Sequence, residues 1–118
     1  MNIEAIRNYC MAKAGVTEEF PFDEVTLVFK VMGKIFVLAS LDTVPLSVNL
    51  KCMPELAVEL RERHASVLPG YHMNKKMWNT IVLDGSVPRK DLLAWIDLSY
   101  DLVVAKLTKA EREKLLEG

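Results

Sequence analysis

The chain has 118 residues, 51 % of them hydrophobic, and a formal net charge of −1. That length sets the expectation of one domain around a single core, and that share of apolar residues excludes an intrinsically disordered chain. The near-neutral balance excludes a globally basic nucleic-acid binder, although residues 44–90 carry seven Lys/Arg against four Asp/Glu while residues 1–43 and 91–118 each carry four against six.

Met1-Asn2-Ile3-Glu4 has neither the basic stretch nor the apolar run of a secretory signal. No apolar run approaches the ~20 residues that span a bilayer, so a cytoplasmic protein with no membrane partner is expected. Residues 2–14 place Ile3, Ile6, Cys10 and Ala14 at helical spacing, with Asn2 as N-cap and Gly15 as the stop. Residues 16–23, with Thr17 and Pro21, read as loop. Residues 24–31 and 34–40 read as strands joined at a Met32-Gly33 hairpin turn, where glycine supplies a positive φ. Residues 46–51 alternate cleanly: Leu46, Val48 and Leu50 point one way, and Ser47, Asn49 and Lys51 point the other.

Pro54 opens a second helix, whose apolar stripe runs through Leu56, Leu60 and Val67 and which ends before Pro69-Gly70. Residues 71–74 read as a short strand and residues 78–83 as a clearer one, closed by Asp84-Gly85. A long helix over residues 89–106 buries Leu92, Ile96, Ser99 or Tyr100, Val103 and Leu107. Thr108 and Glu111 then fit the capping box of a final short helix. The order α-β-β-β-α-β-β-α predicts an α+β two-layer sandwich, an antiparallel sheet with helices on one face.

The densest cluster of polar and aromatic residues is Pro69-Gly70-Tyr71-His72-Met73-Asn74-Lys75-Lys76 followed by Trp78-Asn79-Thr80. Together with Lys34-Ile35-Phe36-Val37-Leu38, Val48-Asn49-Leu50-Lys51-Cys52 ahead of Pro54-Glu55, and Ser99-Tyr100-Asp101-Leu102-Val103, it resembles the MmcQ/YjbR family of small bacterial proteins over nearly the whole chain. The resemblance implies a compact fold similar to the frataxin-like and secretion-chaperone-like sandwiches. It also implies DNA binding through a "double wing" of hairpin loops. One departure is Asp23, where many relatives carry glycine after Pro-Phe. It puts an acid beside one edge of the sheet and weakens a phosphate-binding role for that loop.

The residues themselves offer Lys51, Lys75 and Lys76 as charge and Asn49, Asn74 and Asn79 as amide donors to phosphate or base edges. Trp78 and Tyr71 are candidates to stack on bases, and His72 lies among these donors. Against this stands a plain structural reading: Trp78 packs in the core, Asn74 makes a turn and the lysines are solvated. His72 has no Asp, Glu, Ser or Cys beside it in the cluster, so no catalytic residue and no enzyme is expected. His64 and His72 lie eight apart across a helix end, Cys10 and Cys52 form no metal spacing, and Glu18, Glu19, Asp23 and Glu24 read as a solvated face. No metal and no cofactor are expected. A DNA-binding monomer is the leading expectation, and a protein-interaction module of the same fold, with no nucleic-acid activity, is the alternative.

Overall fold

A computed structural model describes residues 1–70 and 74–117. Helix α1 (Ile3–Met11) leads into strands β1 (Val16–Glu19), β2 (Thr26–Val31), β3 (Lys34–Ser40) and β4 (Ser47–Lys51). Helix α2 (Pro54–Arg63), strands β5 (Val67–Pro69) and β6 (Trp78–Val82), and helices α3 (Arg89–Ala105) and α4 (Lys109–Glu117) follow. The predicted α+β order is present, and the six strands form one antiparallel sheet in the order β1-β2-β3-β4-β6-β5.

Local chemistry sets most of the boundaries. The Ala5 N–H donates to Asn2 Oδ1 at 2.8 Å, capping α1. Met32 and Gly33 both take positive φ at the β2–β3 turn, as a tight hairpin whose twist matches its strands requires. Thr108 and Glu111 make the reciprocal capping box of α4, with bonds of 2.9 and 3.1 Å.

Two expectations are corrected. Residues 16–19 are not loop: they pair with β2, Val16 opposite Val31 and Glu19 opposite Val28, as a short edge strand. Such a strand gains its hydrogen bonds only from a distant partner, so four residues of local sequence did not announce it. Val67 does not extend the stripe of α2, which stops at Arg63; it lies in β5 opposite Ile81. The strand expected at 71–74 lies largely outside the described residues, and β5 occupies the positions just before it.

The helices cover one face of the sheet. Ile6 and Cys10 of α1, Ala57 and Leu60 of α2, and Leu92, Ile96 and Val103 of α3 pack on Leu27, Phe29, Val37, Val48, Leu50 and Ile81. A register shift after Phe29 leaves Phe36 without a partner in β2, which turns both Phe36 and Val37 into this core. Ser99 is fully buried at the centre of α3. Its Oγ donates to the Phe36 carbonyl at 2.6 Å and accepts the Lys51 N–H at 2.9 Å, tying α3 to β3 and β4. The helix-free face carries a second, smaller cluster of Val28, Leu38 and Trp78, flanked by Ile35 and Met77. No helix among the described residues is long and apolar enough to cross a membrane.

Candidate functional site

The proposed Lys/Asn/Trp surface does not form as a unit. Trp78 projects to the helix-free face as alternation predicts, but it is only 9 % exposed, packed among Val28 and Leu38. A ring so placed has no open face for a base. Asn49 lies nearby on the same face, buried, with its Oδ1 accepting the Thr80 hydroxyl. Asn79 is the clear correction. It faces the helices, is 2 % exposed, and donates from Nδ2 to the Ala57 carbonyl at 3.2 Å. Strand alternation after Trp78 is the signal that places it there. Its Oδ1 has no hydrogen-bond partner among the described residues, and the adjoining cavity of about 10 Å³ is too small for a ligand.

Asn74 is a turn residue. Its Oδ1 accepts the Lys76 N–H at 2.9 Å and its carbonyl accepts the Met77 N–H at 3.1 Å. This turn holds Lys75 and Lys76 at the surface. His72 lies outside the described residues.

Lysines do gather, however, in a set the sequence pattern did not single out. Lys34 opens β3, Lys51 closes β4 and Lys106 caps the C-terminus of α3. Because β3 and β4 are antiparallel, with Val37 opposite Leu50, Lys34 and Lys51 come to the same end of the sheet. The three lysines, with Gly33, Ile35 and Val103, line an open concavity of about 320 Å³. The turn bearing Lys75 and Lys76 is at the same end: Trp78 pairs with Lys51, and the Cys52 N–H donates to the Met77 carbonyl at 2.7 Å. Glu111 of α4 sits close enough to Lys34 for that charge to act on it, and Glu55 begins α2 nearby.

A second, larger concavity of about 600 Å³ opens on the helix-free face. Thr26, Ile35, Leu38, Ser40 and Asn49 come from the sheet, and Phe22, Asp23, Val25, Asp42 and Thr43 from the flanking loops.

Other polar groups are engaged in structure. Arg7 pairs with Glu18 through two bonds and Lys30 pairs with Glu19. Asp23 accepts the Val25 and Thr26 N–H groups at 2.9 and 2.7 Å, which start β2. Asp97 of α3 accepts from Tyr9 of α1 and from Lys13 just after that helix, and Lys13 Nζ lies 5.0 Å from the centres of the Tyr9 and Tyr100 rings. Its bond to Asp97 pushes the Tyr9 phenol up to about 12. Burial pushes the Cys10 thiol up to about 12 and the Cys52 thiol upward as well, so both stay protonated near neutrality. Among the described residues, no group of three or more His, Cys, Asp or Glu is arranged to hold a metal ion.

The YjbR family model matches residues 11–102. The chain is 35 % identical over 117 residues to the uncharacterized protein YjbR of Escherichia coli (strain K12), covering 99 % of each. The chain belongs to the YjbR family. It is also 37 % identical over 100 residues to YbdF of Escherichia coli O157:H7, covering 84 % of this chain and 81 % of that one. The crystal structure of the Deinococcus radiodurans protein DR2400 superposes with a TM-score of 0.92 at 42 % identity, over 97 % of this chain and 87 % of that one. A Pseudomonas syringae protein superposes at 0.75 and 26 % identity, over 86 % of this chain and 98 % of that one. These names state no activity; the surface of this YjbR-family chain offers a lysine-lined end and, sharing Ile35 with it, a larger concavity on the helix-free face.

Proposed function

We propose that this YjbR-family chain is a cytoplasmic, non-enzymatic binding protein that grips the phosphate backbone of DNA with its basic end. The observation that carries the reading is the concavity ringed by Lys34, Lys51 and Lys106. The β2–β3 hairpin carries Lys34 and the turn before β6 carries Lys75 and Lys76, and both turns add positive charge at this end of the sheet. Lysines at this spacing contact phosphates and carry little base specificity, so the expected binding is sequence-tolerant. The buried Trp78 and Asn79 have no part in it.

Fluorescence anisotropy with a labelled duplex tests this. Neutralising three phosphates predicts a slope of log affinity against log salt of about −2 to −3. Lys34→Ala combined with Lys106→Ala leaves one lysine of the ring and flattens the slope to about −1. Absence of binding to duplex and single strand at low salt ends the reading, and an unchanged slope in the double variant removes this concavity from it.

A further inference from the structure

The larger concavity has the opposite chemistry to the basic end. Its volume of about 600 Å³ lies within the range of sites that enclose a ligand's side chains. Ile35 and Leu38 give it an apolar floor continuous with the buried Trp78 cluster. Asp23 on the loop before β2 and Asp42 on the loop after β3 contribute carboxylates from its two flanking loops. The Val25 and Thr26 N–H bonds hold the Asp23 carboxyl below the usual carboxylate range, so it is charged at neutral pH. Among the described residues no lysine or arginine lines the concavity. Phe22, which lines the cavity, is 64 % exposed, and Phe20 and Val44, close to Phe22 and Thr43 in the chain, are exposed as well. Exposed phenylalanines beside an apolar floor mark a contact surface rather than a solvated loop.

From this charge complementarity and the apolar lining, we infer that the concavity docks a peptide segment of a partner protein, one presenting a large apolar side chain flanked by lysine or arginine. The apolar side chain enters over Ile35 and Leu38, and the flanking cations meet Asp23 and Asp42. Thr26, Ser40, Thr43 and Asn49 supply the neutral polar part of the lining. Nucleic acid is repelled here by the same carboxylates, so the inference stands apart from the DNA reading and survives its failure. A compact small amine would meet the carboxylates but leave the apolar Phe22, Ile35 and Leu38 lining without a partner, which favours a segment that carries an apolar side chain as well.

The test uses the full chain, isotope-labelled, and three synthetic peptides: one alternating Lys/Arg with Phe/Leu, one with Glu in place of the basic residues, one with Ser in place of the apolar ones. The basic–apolar peptide is expected to shift the amide signals of Thr26, Ile35, Leu38, Ser40, Thr43 and Asn49. It is expected to bind at least about ten-fold more tightly than either control, the scale of one lost anchor or charge contact. Phe22→Ser combined with Asp42→Asn alters two exposed residues and should lose about ten-fold in affinity at unchanged melting temperature. Asp23→Asn keeps the side-chain oxygen that caps β2 and should weaken the same peptide. Lys34→Ala with Lys106→Ala should leave peptide binding unchanged. Equal binding of the acidic peptide, shifts confined to other surfaces, indifference to the Phe22 and Asp42 changes, or loss of the shifts to self-association of the chain would each overturn the inference.

Discussion

On the helix-covered face three helices hold Phe29, Phe36, Leu50 and Ile81 at 2 % exposure or less, whereas on the helix-free face the buried apolar cluster among the described residues is only Val28, Leu38 and Trp78 and gives way to an open concavity. Ser99 and Asn49 are each bonded, one on each face, although Asn79 under the helices keeps an Oδ1 without a partner among the described residues. Under the helices Ser99 spends both its donor and its acceptor on the backbone of β3 and β4. On the other face Asn49 is bonded to Thr80, while Ser40 and Thr43 line a space open to a ligand. One sheet therefore separates two tasks. The face that must exclude water carries the stability, and the face relieved of that duty is available for recognition.

Truncations sort the two faces by size of effect. Phe36→Ala removes a ring that meets Tyr100 edge-on at 5.3 Å beneath α3, and should cost about 3–5 kcal/mol in urea unfolding. Leu38→Ala, two residues on but on the helix-free face, should cost nearer 2 kcal/mol, about the low end for leucine truncation. Equal costs would erase the distinction between the faces. Ser99→Ala strands the buried Lys51 N–H and Phe36 carbonyl, and should cost about 1–3 kcal/mol by the same measurement. A negligible cost would mean that Ser99 serves packing alone.

The smallest effect belongs to the α1–α3 staple. Burial pushes the Asp97 carboxyl up, but its bonds from Lys13 and Tyr9 outweigh this and hold it below the usual range. A carboxyl with a lowered folded pKa adds stability above its unfolded pKa of about 3.9, and that contribution is lost as pH falls through the folded value. Asp97→Asn should therefore lower stability near pH 7 by under about 1 kcal/mol, given the partial exposure of the pair, and the gap to the parent should close in acid. A gap that widens on acidification would reverse the assignment.

Much of the fold was legible because its signals are local. The Asn2 cap, the Met32-Gly33 turn, Pro54 at the start of α2 and the Thr108/Glu111 box each act within a few residues. Period-two alternation sent Asn49 and Trp78 to the helix-free face, and by the same rule Asn79 belonged to the other one. The candidate site was less legible. Asn74 looked like a donor and is a turn, and Lys34 and Lys106, 72 positions apart in sequence, looked like scattered surface charge.

By itself the sequence determined all the helices and most of the strands, β1 and β5 excepted, and which way most side chains alternate, since those follow from capping, turn chemistry and periodicity along the chain. Tertiary structure alone decided that residues 16–19 find an edge to pair with, that Lys34, Lys51 and Lys106 share one hollow, and that Asp23 and Asp42 flank another. These depend on strand order and register, which are fixed by where the whole apolar surface can be buried at once. Contacts between residues far apart in the chain have no local cost or gain through which a short stretch of sequence could announce them.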